Sequence, residues 1–357
     1  MPNLIILGCR HSDGQLGAGN RFDSFAPVIL GALSPLEKGD ILLKKIGARL
    51  LHIVPVLLLV TLGTMLLIEL TPGDPAVAYL GENATPEQIV VVRRQMGLDR
   101  PIPERYVTWL GNVAQGDLGT SLRSQQPVLD AVRERLPVTV ELALLAQVIA
   151  FAVAIPVALL SAYRAGGKFD KLTNLASSSI VSSPSFLTAL LLVYLLALRF
   201  RVFPATGWVR LTDAPFDNLK SAFLPALTLA LTEMAVLMRV LRSDVIATLQ
   251  EDFILSAKAK GLPTWYVLLR HALRPSSFSL VTLAGLSLGR LIGGAVIVET
   301  LFALPGIGQL LVNAIFNKDV ITVQGVVMFV ALVYVALNVL TDVIYTLLDP
   351  RTRIARG

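Results

Sequence analysis

The chain has 357 residues, 54% of them hydrophobic and 16% charged, with a mean hydropathy of +0.68, and these values lie outside the usual soluble range and place it in a lipid bilayer. A net charge of +6 does not mark a nucleic-acid binder, because the basic residues are scattered between apolar segments and form no aromatic-interleaved patch. One cysteine, Cys9, excludes an internal disulfide framework and any CxxC metal or redox site.

Residues 1–40 are polar and Gly-rich, and their longest apolar piece, Ala26 to Leu33, is too short for a bilayer that needs about 20 residues. They read as a poorly ordered cytoplasmic tail ahead of a membrane domain over 41–357. Six segments then have the length and apolarity of membrane helices: about 50–70, 139–163, 178–198, 223–241, 280–298 and 324–347. The expected class is all-α, with six spans. The first is an uncleaved anchor, its core being too long for a signal peptide. Arg164, Lys168 and Lys171 between the second and third spans, with Arg351, Arg353 and Arg356 after the last, mark the cytoplasmic side and put both termini there.

The external loop, 71–138, carries structure of its own. Thr85-Pro86-Glu87-Gln88 supplies an N-cap, a proline at the first helical position and a capping-box glutamine, and Gly97 sits where that helix would stop. A second short helix is expected over 103–115, and the whole loop as a cap packed on the spans. Further along, Pro184 removes a backbone bond and predicts a kink in the third span beside a cavity. Glu233 in the fourth span and Arg290 in the fifth each cost about 3 kcal/mol to insert, which about ten aliphatic neighbours offset. They are expected either along a translocation path, with Pro184, or as a structural pair between helices.

The loop 243–277 interrupts this apolar chain with "EDFILSAKAKGLPTWYVLLRHALRPSS" over 251–277. Its charges forbid a place in the hydrocarbon, so it lies in the cytoplasm. Glu251 and Asp252 open a short helix, Lys258 and Lys260 occupy its last turn, Gly261 stops it and Pro263 follows, an arrangement that complements the helix dipole. Ten residues are too few to be stable alone in water, so a partner surface is required. Ala257 and Gly261, four apart on a face with Phe253, predict a close approach by another protein with Phe253 in a pocket. Thr264 is expected to cap a second short helix that runs towards Pro275. Nearer the end, Pro305-Gly306-Ile307-Gly308 cannot continue a helix, so 299–317 read as a turn and a short external helix. Glu299, Phe302, Pro305 and Gly306 are there an external gate or the packing of a plain loop.

No GxxxxGK[ST] run occurs, so no P-loop cradles phosphates on this chain. His11, His52 and His271 are dispersed without ligand spacing, and no GxSxG elbow or kinase signature appears. No catalytic residue and no metal site are expected.

Glu251, Ala257 and Gly261, followed by His271-Ala272-Leu273-Arg274, resemble the cytoplasmic EAA loop of ABC-importer permeases in the dipeptide and oligopeptide branch. The resemblance runs from about residue 41 to the C-terminus. It includes Thr71-Pro72-Gly73-Asp74-Pro75, "MGLDRPIPERYVTWLGNVAQGDLGTSL", "RLPVTVELAL", Ser183-Pro184-Ser185-Phe186, Phe203-Pro204-Ala205-Thr206-Gly207 and Asp349-Pro350-Arg351. The leading tail is longer than the family usually has, and Pro275 follows Arg274 where this branch often has Asn. The resemblance implies a type I importer permease in the bacterial plasma (inner) membrane, one half of a heterodimeric pore, with Glu251, Asp252, Phe253, Ala257, Lys258 and Gly261 as the coupling helix in a cleft of an ATPase subunit. It further implies no cofactor on this chain, ATP and Mg on the partner ATPase subunits, a second homologous permease subunit, two ATPase subunits, and an extracytoplasmic solute-binding protein that delivers short peptides. Nickel chelates or glutathione on the same scaffold, or a self-contained ion-coupled carrier, are the alternatives.

Overall fold

The computed structural model describes residues 54–67, 69–70, 74–81 and 84–348. The 1–40 tail, Thr71-Pro72-Gly73 and the basic residues Arg351, Arg353 and Arg356 lie outside the described residues. What is described is helix and turn, with one isolated bridge, Thr120 to Pro127. The elements in order are α1 (Val54–Leu67), α2 (Pro75–Leu80), α3 (Pro86–Gln95), α4 (Ile102–Ala114), α5 (Val128–Tyr163), α6 (Lys168–Ser182), α7 (Ser185–Arg199), α8 (Pro215–Thr248), α9 (Asp252–Ala259), α10 (Thr264–Leu301), α11 (Ile307–Phe316) and α12 (Val320–Leu348). Four of them, α5, α8, α10 and α12, are long and apolar enough to cross a membrane.

The loop before α5 forms as its capping residues dictate. Asp74 Oδ1 accepts from the Ala76 N–H at 2.9 Å, with Pro75 opening α2. Thr85 and Gln88 close the reciprocal capping box of α3, which ends just ahead of Gly97, and α4 falls within a residue of its expected bounds.

The long helices overrun their apolar segments, since backbone hydrogen bonding continues past the last lipid-compatible side chain. α5 has 36 residues and starts at Val128, although Arg133, Glu134 and Arg135 end its apolar part near residue 136. At 1.5 Å per residue it measures about 54 Å, against a hydrocarbon layer of about 30 Å. Every fourth residue on one face is small: Ala146, Ala150, Ala154, Ala158 and Ala162 are all buried. α5 packs along α8, whose Ala222, Ala226 and Ala230 belong to the same buried cluster. Within a bilayer helix association relies on van der Waals contact rather than water release, and short side chains let the backbones approach.

Two expectations about prolines need correction. Pro184 does not kink one helix; Ser183 is forced into extended backbone (ψ 134°) ahead of the ring, and α6 and α7 diverge by 109°. Pro275, conversely, ends nothing. A π-turn over Val267–Ala272 precedes it, and this wider turn accommodates the ring and the carbonyl left without its usual donor, so α10 runs unbroken for 38 residues. Thr264 is the first residue of that helix and makes no capping bond; Pro263 holds the cap position.

Candidate functional site

α9 sits on the turn that joins α8 to α10. Its backbone is built as the charges and glycine predict: Glu251 is the extended N-cap, Asp252 lies in the first turn, Lys258 in the last, and Gly261 takes a left-handed φ of +75°. Its inner face is apolar. Ile254 (0% exposed) and Ala257 (6%) pack on Val267 of α10, with Leu249 and Leu262 beside them. Ala257 is therefore turned into its own chain, and the close approach expected there cannot involve its Cβ. Phe253 and Leu255 are about half exposed on either flank of Ile254, and Trp265 is exposed at the start of α10. A Cβ at Gly261 would meet nothing within 4 Å, so this position faces open space. Trp265 escaped notice in the sequence because a tryptophan beside a helix start reads as packing.

Midway along the bundle the two charged residues expected within spans come together. Arg290 Nη2 of α10 donates to Glu233 Oε2 of α8 at 3.2 Å. The Glu233 side chain is 8% exposed while that of Arg290 is 51% exposed. Ser287, one turn before Arg290, donates to Oε1 of the buried Gln147 on α5 at 2.7 Å. Three helices thus share a polar layer within an apolar bundle. The only signal for Gln147 was an amide in an alanine-rich run. Pro184 contributes backbone direction through the 109° break.

At the far end of α5 the residues expected as a gate form a packed anchor. Glu299 is fully buried near the end of α10, and Phe302 and Gly306 are buried with it, while Pro305 alone of the set is exposed. The Glu299 carboxylate accepts from Thr139 Oγ1 (2.7 Å), Gly308 N (2.7 Å) and Gln309 N (3.2 Å), and Thr139 Oγ1 also accepts from Ile307 N at 3.0 Å. The N-terminus of α11 is so capped by two side chains from other helices, with the carboxylate at the positive end of the dipole. A Cβ at Gly306 would collide with the Glu299 carboxyl group. Thr139 was not foreseen, since a threonine in an apolar run carries no distinctive pattern.

Among the described residues no group of three His, Cys, Asp or Glu side chains could hold a metal ion.

Two family models match the chain. The model for the binding-protein-dependent transport system inner membrane component covers residues 154–354, and the one for the N-terminal part of that membrane component covers 42–143. A putative peptide transport system permease protein of Brucella abortus (strain 2308) is 42% identical over 307 residues, covering 85% of this chain and 97% of the relative. A probable peptide ABC transporter permease protein of Sinorhizobium fredii is 34% identical, with 85% and 97% covered. A dipeptide transport system permease protein of Alkalihalophilus pseudofirmus is 32% identical, with 85% and 98% covered.

Proposed function

Since the chain belongs to the binding-protein-dependent transport system inner membrane components, the permeases of ABC importers, we propose that it forms half of a path for short peptides and receives work through α9. It is a non-catalytic, multi-pass subunit of the inner membrane, and its role is peptide import. In this reading a second homologous permease completes the pore, two ATPase subunits bind ATP and Mg, and an extracytoplasmic binding protein delivers the peptide. Both termini and α9 lie in the cytoplasm.

The observation that carries the reading is the surface of α9. A helix of 8 residues is too short to stand alone, and its inner face is already spent on Leu249, Leu262 and Val267. What remains open to solvent is Phe253, Leu255 and Trp265, a glycine that leaves room for a backbone, and the exposed Lys258 and Lys260. A cleft that takes Phe253 with Gly261 at its rim would give an ATPase a grip on the junction of α8 and α10.

The path reading rests on Arg290. An arginine at mid-membrane costs about 2.5–3.5 kcal/mol even on the lenient insertion scale, and Glu233 covers only one side of it. A guanidinium left half exposed next to lipid would be the expensive choice, so the exposed side of α10 at Arg290 faces water or the second permease. α11, capped by Glu299, would follow the outer end of α10 as one piece in any gating movement.

The test is ATP hydrolysis by the purified assembly. Binding protein loaded with di- to oligopeptides should stimulate it, and binding protein offered nickel chelates should not. Stimulation by nickel chelates alone, or uptake that persists without the ATPase subunits and collapses with the proton gradient, would overturn the reading.

A further inference from the structure

Asp170, in the first turn of α6, is only 3% exposed, and its carboxylate gathers five donors. They are Ser161 Oγ (2.6 Å), Gly166 N (2.8 Å), Asn174 Nδ2 (2.9 Å), and Arg242 Nε (2.5 Å) and Nη2 (2.7 Å). Ser161 is near the end of α5, Gly166 lies in the α5–α6 turn, and Arg242 stands shortly before the end of α8. A single side chain thereby fastens the whole α5–α6 hairpin to the helix that runs into α9. The same end of α8 is tied to α10 by Thr248 Oγ1 and Ser276 Oγ at 3.0 Å, and α9 is tied to α10 through Ile254 and Ala257 on Val267.

Stability is a weak reason for such a device, because a buried ion pair can often be replaced by apolar residues at no loss. What a bidentate fork supplies is fixed geometry: it sets the rotation of α8 against the hairpin, where an apolar contact would let the surfaces slide. Further along α6 the contacts loosen. A cavity of about 130 Å³ lies between Val157 of α5, Ser177 and Ile180 of α6, and Met234 and Met238 of α8. Apolar walls and two pliable methionines give α6 room to move there. Beyond the cavity α6 ends at the 109° break into α7. α6 is therefore fastened by the ion pair at one end, borders a cavity in the middle, and ends at a sharp bend.

We propose that Asp170 and Arg242 are positioning residues for transport: the pair makes the α5–α6 hairpin turn with α8, so that displacement of α9 reaches α6 and, across Ser183-Pro184, α7. This rests on the coupling role of 251–261 proposed above. Arg242→Met alone strands a buried carboxylate and can fail to fold, so the decisive variant is the neutral pair Asp170→Asn with Arg242→Met. The assembled transporter, reconstituted in vesicles with its ATPase subunits and peptide-loaded binding protein, gives two readings, ATP hydrolysed and peptide taken up. The double variant should keep its ATPase subunits and hydrolyse ATP within about twofold of the unaltered assembly, while peptide moved per ATP falls about tenfold. Arg242→Lys, which keeps the charge and loses the fork, should fall in between. An unchanged ratio of peptide to ATP, a proportional fall in both readings, or loss of the ATPase subunits would each reduce the pair to a structural tie and overturn the proposal. Failure of the underlying reading looks different: Gly261→Asp, with the ion pair intact, would then leave uptake and hydrolysis as they were.

Discussion

Two buried carboxylates lie about 33 Å apart along α5, Glu299 on Thr139 near its start and Asp170 on Ser161 near its end, and they are satisfied in opposite ways. Glu299 has neutral donors, two of them backbone amides of a helix that begins eight residues later in the chain. It closes the α10–α11 turn onto α5. Asp170 has a full counter-charge from a helix 72 residues away, and Arg242 holds its carboxyl well below the usual carboxylate range. It joins distant parts. Both ends therefore join three helices, one through uncharged donors and the other through an ion pair on the helix that runs into α9. The charged tie lies at the end of the bundle where α9 is proposed to receive work.

Breaking the charged side of this comparison should have the largest effect on stability. Arg242→Met should cost about 3–5 kcal/mol, because it leaves a buried charge without its partner. Adding Asp170→Asn should restore most of that, and a thermal-unfolding cycle in detergent measures both. At the neutral end, Glu299→Leu should cost about 1–3 kcal/mol by orphaning the amides of Gly308 and Gln309. No single second substitution should rescue it, since two of the orphaned donors are backbone amides. Ala150→Leu, in the seam between the two ends, should cost about 1–3 kcal/mol through overpacking, with both carboxylate networks intact. Phe253→Ala should be the mildest, within about 0.5 kcal/mol in stability since the side chain is about half exposed, yet should weaken retention of the ATPase subunits on purification.

Local signals were the most legible in the sequence. The capping box at Thr85, the glycine stop after α9 and the apolar segments of the spans all act over a few residues and need no tertiary information. Helix ends were less legible, because hydropathy reports where lipid stops and not where backbone bonding stops; Val128 and Thr248 lie well beyond the apolar parts of α5 and α8. Pro184 and Pro275 look alike in sequence. One follows a residue driven to extended backbone and the other follows a π-turn, and the neighbouring packing decides between them. Ala257 was assigned to the wrong side of α9, since a spacing of four residues fixes a face and leaves open which face the chain keeps for itself. Asp170 carries no signal of its own in the sequence, its meaning residing in Arg242, 72 residues later.

The most direct test of the central claim, that α9 is where ATPase work enters, is the amount of ATPase subunit retained on the purified Gly261→Asp variant. Aspartate tolerates the left-handed backbone better than most residues, so the permease itself should lose about 1–2 kcal/mol, while its charge fills the open space at Gly261. The expected result is a folded permease that retains little ATPase and takes up no peptide. A variant that keeps its ATPase subunits and its ATP-driven uptake would contradict it.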